Sequence, residues 1–353
     1  MTTINQQKLE ALFGRLFGDI SAGYGGVMVS LGDKLGLYKA MAGAGPLSSQ
    51  ELAKRSGCAE RYVREWLNSQ VAGGYVDYHP TSATYELTPE QAAILADDTS
   101  PVFLSHGWKV VSSMWADEPK SLEAFKTGKG VSWGEHSEQL FCGIAALYRN
   151  GYSANLVQEW LPRLSGVTRK LAEGAMVADV GCGHGHSTVL MAKAYPNSQF
   201  WGFDTHEESI AIARRVADKA GVADRVTFEV TKADNYARRG YDLICFFDCL
   251  HDMGRPVDAA RHAAGALAED GTVMLVEPFA RDRVEDNINP IGRLYYAASS
   301  TMCCAHAISE IGTHVLGAQA GPRQLEGLLK SAGLGTVRTV AETPFNLIIE
   351  AKR

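Results

Sequence analysis

The sequence predicts an α/β protein in two parts: a mainly helical N-terminal domain and a Rossmann-like, doubly wound sheet of seven strands. Three observations predict it. From about residue 171, apolar runs of strand length alternate with helical segments, the pattern of a parallel sheet covered on both faces. A glycine-rich turn follows the first of these runs. Ahead of them, the first hundred residues combine helical periodicity and helix-cap signals with a short β ending.

The N-terminal elements follow in order. Leu31, Leu35, Leu37 and Tyr38 lie close to helical spacing before a break at Gly43 to Pro46. Ser48 or Ser49 can cap the next helix, LSSQELAKRSG, with Glu51 placed as the capping-box acid. A turn at Gly57 leads into a second helix, AERYVREWLNSQVAGG, and YVDYHPTSATYELT reads as two strands around a turn. Helix, turn, helix and β-ribbon make a winged helix, assigned to residues 1–100. Its sharp reading is DNA binding, yet Glu60, Arg61, Arg64 and Glu65 on the second helix sum to zero charge. A groove-reading helix needs surplus Lys or Arg for phosphates. Pairing of two chains is therefore the expected role.

Composition narrows the partners. At 353 residues, with 46% hydrophobic and 21% charged residues, the chain can build two domains with real cores. A net charge of −6 argues against nucleic acid or an anionic membrane, which both call for a basic surface. The opening stretch carries no signal-peptide pattern, and no apolar run reaches the roughly 18 residues of a membrane span. Seven scattered cysteines without a C-x-x-C pair fit reduced thiols in the cytoplasm. Residues 101–170 form a helical connector and pocket wall dense in Trp and Tyr, from which Trp133 and Tyr152 are candidate substrate contacts.

The strands of the second domain are AMVADVG, SQFWGFD, RVTFEV, YDLICFFD and TVMLVEPF, with GTVRTVAE and FNLIIEAKR as two further strands. Between the first strand and its helix lies VADVGCGHGHS, so Gly181, Gly183 and Gly185 occupy the turn at a carboxyl strand end, where ligands bind in open α/β sheets. Asp179 can accept from the loop amides or from an ammonium group. The spacing is G-x-G-x-G, with His186 where a dinucleotide fingerprint has its third glycine, which favours a ligand without a pyrophosphate. Asp204 ends the second strand, placed to hold two ribose hydroxyls, and Asp234 follows the third, placed to accept from an adenine amino group. Three acids at successive strand ends around one glycine turn point to an adenosine-type ligand.

With these residues in place, the chain from about 171 to 353 resembles the class I S-adenosylmethionine-dependent methyltransferases. As a whole it resembles bacterial winged-helix methyltransferases related to the small-molecule O-methyltransferases. The resemblance implies S-adenosyl-L-methionine as cofactor, Gly181 and Gly183 backing its methionine moiety, Asp204 and Thr205 on its ribose, and Asp234 and Asn235 flanking its adenine. It further implies Phe247 against the cofactor, an antiparallel last strand and a homodimer.

The fourth strand ends in FFDCLHDMGRP. In the plant and bacterial O-methyltransferases an L-H-D-W sequence stands here, and its histidine is the general base. Leu250, His251 and Asp252 match, whereas Met253 departs from the tryptophan. An imidazole titrating near neutrality suits removal of a hydroxyl proton as the methyl arrives. Glu277, at the end of LVEPF, resembles the acid that orients that histidine. The insertion 280–320 reads as a substrate lid, with Arg293 and Tyr296 as candidate contacts. Cys304 and His306 with His251 would be the elements of a metal site. Cys303 and Cys304 adjoin, however, and no H-x-x-x-H or carboxylate set accompanies them, so no metal is expected. The expected function is methyl transfer to a small aromatic or apolar hydroxyl-bearing molecule. The alternatives are a cofactor- or ligand-sensing DNA-binding regulator and a nicotinamide-dependent oxidoreductase.

Overall fold

The computed structural model describes residues 4–312 and 314–353. The chain divides into two compact units, Met1–Ser113 with Gln139–Asn150, and Met114–Glu138 with Gly151–Arg353. The stretch 101–170 is thus shared between them. No helix among the described residues is long and apolar enough to cross a membrane.

The first unit opens with a 29-residue helix, Gln6–Lys34, capped by the Asn5 side chain, which accepts the Lys8 N–H at 3.0 Å. Only Gly26, Val29 and Gly32 of this helix are buried. Gly26 is required by close approach, since a Cβ there would stand 1.9 Å from the Trp108 ring. The short helix Ser49–Ser56 carries the expected capping box between Ser48 and Glu51 and stops at Gly57 in the left-handed region. The next helix, Glu60–Ala72, buries Val63, Trp66, Leu67 and Gln70 on one face. On its other face Arg61 pairs with Glu65 and Arg64 with Glu60, both one turn apart. Strands β1 (Asp77–His79) and β2 (Thr84–Glu86) close the wing as an antiparallel hairpin with Tyr78 opposite Tyr85. Tyr38, Met41, Leu52, Trp66 and Leu67 form the core of this unit.

The second unit is a seven-stranded sheet. Its strands are β3 (Met176–Val180), β4 (Gln199–Asp204), β5 (Val226–Val230), β6 (Tyr241–Phe247), β7 (Leu267–Pro278), β8 (Thr336–Glu342) and β9 (Asn346–Lys352). Their order is β5-β4-β3-β6-β7-β9-β8. The first five in the chain run parallel to one another, and β9 is antiparallel to both of its neighbours. The central strands are apolar along nearly their whole length because helices cover both faces. The buried set includes Val180, Phe203, Ile244, Phe246, Leu275 and Ile349. Chain order reverses between β3 and β6, which makes their carboxyl ends the switch point where ligands bind in such sheets.

Candidate active site

Asp179 on β3 is fully buried, and its Oδ2 accepts from the Ser187 and Thr188 hydroxyls, each at 2.6 Å. Both hydroxyls lie in the first turn of the helix His186–Ala194, so the acid ties strand to helix across the glycine turn. Its Oδ1 is buried without a hydrogen-bond partner. Burial pushes the Asp179 carboxyl up to about 6, against the two hydroxyl donors. Gly181 has φ 75°, and a Cβ on it would lie 2.6 Å from Cys249 Sγ, so the position admits only glycine without rearrangement. Gly183 faces open space.

Asp204, at the tip of β4, holds the turn through Oδ2, which accepts the Gly183 N–H at 2.9 Å, while its Oδ1 accepts the His206 N–H of its own loop at 2.8 Å. Thr205 beside it is exposed. Asp234 is part-buried with Arg255 3.6 Å away, and Asn235 is exposed. A buried carboxylate oxygen awaiting a cation, an open glycine backbone and acids at neighbouring strand tips fit a cofactor that pairs a cationic aminoacyl part with an adenosine.

At the end of β6 the chain lays down a dense polar cluster. Phe247 is buried, its ring 5.5 Å from that of Tyr152. Asp248 follows with φ 49°, a rare conformation for a residue with a side chain, of the kind that collects at functional sites. It accepts from the Tyr152 hydroxyl and the Asn346 amide, each at 2.7 Å, and burial raises its carboxyl to about 7. His251 stands in the short 3-10 turn Leu250–Asp252, almost fully buried. Its Nδ1 is 2.6 Å from Glu277 Oε2, and Glu277 Oε1 accepts the Leu250 N–H at 3.1 Å. The other ring nitrogen, Nε2, lies 3.0 Å from Asp252 Oδ1. Burial alone would lower the proton affinity of this imidazole, but Asp252 and Glu277 outweigh it and raise its pKa well above the ordinary value.

The segment after β7 forms the helix Pro290–Ala298, a π-turn Ser299–Cys303 and the helix Cys304–Ser309. It packs onto the His251 turn: Gly254 N–H donates to Glu310 at 2.9 Å and Gly317 N–H to the His251 carbonyl at 3.2 Å. Cys303, buried, comes into the same cluster as His251 and Asp252. Arg293 and Tyr296 lie on exposed parts of the first helix. Trp133 donates its N–H to His306 Nδ1 at 3.2 Å, which fixes the 133–135 turn beside this segment.

The structure thus brings Asp179, Gly181, Gly183 and Asp204 together, and separately His251 with Glu277, as the sequence predicts. Sequence reasoning missed Asp248 and the contact of Asp252 with Nε2, and it offered Cys303 only as a possible substrate contact, not as a neighbour of His251. The run DCLHD, with an acid on each side of the histidine, was the available signal for the two aspartates.

Comparison with known proteins defines the class. Residues 23–97 match the Rv2258c-like winged HTH domain, and residues 171–333 match a methyltransferase domain. A trans-aconitate 2-methyltransferase of Streptomyces avermitilis is 30% identical over 105 residues, 30% of this chain and 39% of that enzyme's length. The structure of mitomycin 7-O-methyltransferase superposes with a TM-score of 0.72 at 14% identity, covering 99% of this chain and 100% of that one. An O-methyltransferase from neocarzinostatin biosynthesis, in complex with S-adenosylmethionine and 2-hydroxy-5-methyl naphthoic acid, gives 0.62 at 17%, covering 93% and 95%. The chain thus joins a winged HTH domain to a methyltransferase domain, on a fold it shares with O-methyltransferases of known structure.

Proposed function

We propose that the protein methylates a hydroxyl group of a small aromatic or apolar molecule, with His251 as general base and Glu277 as its orienting acid. The observation that carries this reading is the 2.6 Å contact between His251 Nδ1 and Glu277, at the end of the strand beside the glycine turn. S-adenosyl-L-methionine, when bound, supplies an electrophilic methyl group. Gly181, Gly183 and Asp179 would receive its aminoacyl part, Asp204 and Thr205 its ribose, Asp234 and Asn235 its adenine, with Phe247 against it. Trp133, Tyr152, Arg293 and Tyr296 are the proposed substrate contacts. The likeness to an enzyme solved with a hydroxyl-bearing naphthoic acid supports an aromatic acceptor.

The chain's own residues set the proton chemistry. At rest both carboxylates raise the proton affinity of His251. An acceptor hydroxyl taking the place of Asp252 at Nε2 removes one of those acids and lowers the ring's proton affinity, so any Nε2 proton passes to solvent and a lone pair faces the hydroxyl. Glu277 stays on Nδ1, fixes the tautomer and stabilises the imidazolium formed as the hydroxyl proton leaves.

The same reading makes the protein a cytoplasmic homodimer. Seven unbonded cysteines suit a reducing compartment. Leu12, Phe13, Leu16, Phe17, Ile20 and Tyr24 stand exposed along the first helix, an apolar surface that a second copy would cover. Nucleic acid is not among the proposed partners, because Arg61 and Arg64 are engaged by acids of their own helix.

Methyl transfer to a panel of phenols and hydroxylated aromatic acids, with His251→Ala alongside, tests the function. A competent acceptor whose kcat falls about 10²–10⁴-fold in the variant, with S-adenosylhomocysteine affinity unchanged, supports it. Full activity of His251→Ala refutes the base assignment.

A further inference from the structure

His251 Nε2, a carboxylate oxygen of Asp252 and Cys303 Sγ lie within 4.8 Å of one another, all largely screened from solvent. The closest pair, Nε2 and Asp252 Oδ1 at 3.0 Å, is not joined by an aligned hydrogen bond: that oxygen is buried without a hydrogen-bond partner. Nitrogen, oxygen and sulfur thus converge on a common point. Tetrahedral zinc with bonds of about 2.0–2.3 Å puts neighbouring ligand atoms about 3.5 Å apart, which falls between those two distances. On the far side of the ring, Nδ1 is held by Glu277, the carboxylate–histidine arrangement that usually backs a metal-bound imidazole. Cys303 arrives from the π-turn Ser299–Cys303, a rare helical defect found often at functional sites.

We propose that His251, Asp252 and Cys303 form a site for a thiophilic divalent cation of the zinc class, and that its occupancy switches the enzyme off. Cys303 binds as thiolate and Nε2 as a neutral imidazole nitrogen, the thiol proton and any proton on Nε2 both passing to solvent, so the metal takes the lone pair that otherwise takes the acceptor's proton. The sequence reading weighed Cys304 and His306 with His251 and expected no metal; the cluster instead holds the neighbouring cysteine, Cys303, and Asp252 beside His251. The inhibitory consequence rests on His251 being the base, whereas the site itself does not.

The test is direct titration of the purified chain with zinc sulfate against a chromophoric chelator, and with cobalt(II) followed by absorbance. The expected result is one equivalent bound at micromolar affinity or tighter, and a thiolate-to-cobalt charge-transfer band that Cys303→Ser abolishes. Cys303→Ser and Asp252→Asn each weaken binding by at least about tenfold, and Glu277→Gln by roughly tenfold. Circular dichroism of each variant checks that the fold is kept. Zinc should inhibit methyl transfer by the wild type and spare Cys303→Ser, each measured against its own zinc-free rate. Absence of stoichiometric binding, or binding indifferent to Cys303 and Asp252, overturns the site. Stoichiometric binding without inhibition overturns the switch. Failure of methyl transfer to every acceptor, with zinc binding intact, refutes the enzymatic reading and leaves the site standing.

Discussion

His251 meets a carboxylate at each ring nitrogen, and this sets the pH at which it can work. Its pKa is raised by Asp252 and Glu277 despite burial, so the neutral ring needed for proton removal appears only as pH climbs through that raised value. The value of kcat/KM should therefore rise with pH on a limb displaced to the alkaline side of an ordinary histidine, near 6.5. Asp252→Asn should move this limb toward lower pH, a shift that pH–rate profiles of both proteins would read; an unmoved limb excludes His251 as the titrating base. Stability runs the other way. A histidine whose folded pKa exceeds its unfolded one stabilises the fold fully below the unfolded value and loses that contribution as pH passes the folded one. The Asp252 and Glu277 contacts thus favour the resting protein at the acidic end of its working range.

At the scale of elements, the glycine turn between β3 and the helix His186–Ala194 is held from two sides, by Asp204 through the Gly183 amide and by Cys249 packed against Gly181. Gly181→Ala forces a Cβ to 2.6 Å from Cys249 Sγ in a left-handed backbone. It should lower Tm and weaken S-adenosylhomocysteine binding at least about tenfold, the strain and clash together exceeding ~1.4 kcal/mol. Adding Cys249→Ala removes the clash but not the positive φ, so binding and Tm should recover in part; calorimetry and thermal melts of single and double variants decide it. The turn and its acids were legible because they combine short-range spacing with an alternation of strands and helices that only a covered parallel sheet produces. The pairing of Glu277 with His251 was visible only through resemblance. The lid segment carrying Cys303 was placed over the crevice from sequence, but which of its two adjoining cysteines meets the histidine was not legible, since that depends on the register of a π-turn far along the chain. Likewise, nothing in the pattern of YDLICFFD announces that Asp248 takes a positive φ.

At the scale of the molecule, two surfaces have opposite characters. The recognition-type helix Glu60–Ala72 is internally neutralised, while the first helix leaves large apolar side chains in water, among them Phe13 at 70% and Phe17 at 63% exposure. Covering each such side chain is worth about 1.5–3 kcal/mol, so the proposed dimer should be stable at micromolar concentration. Analytical ultracentrifugation should find a dimer that Phe13→Glu with Phe17→Glu converts to monomer without loss of helix content. A wild-type monomer would contradict the pairing role. Whole-chain architecture was read correctly from sequence as a helical domain followed by a doubly wound sheet, because each level of pattern agrees with the next. We propose that this sheet holds S-adenosylmethionine at its switch point through Asp204. Calorimetric titration of wild type and Asp204→Ala with S-adenosylhomocysteine, with NADH as control, tests it most directly. Micromolar binding of the homocysteine compound alone, weakened at least about tenfold by the substitution, is the predicted result. No binding, or preference for NADH, would contradict it.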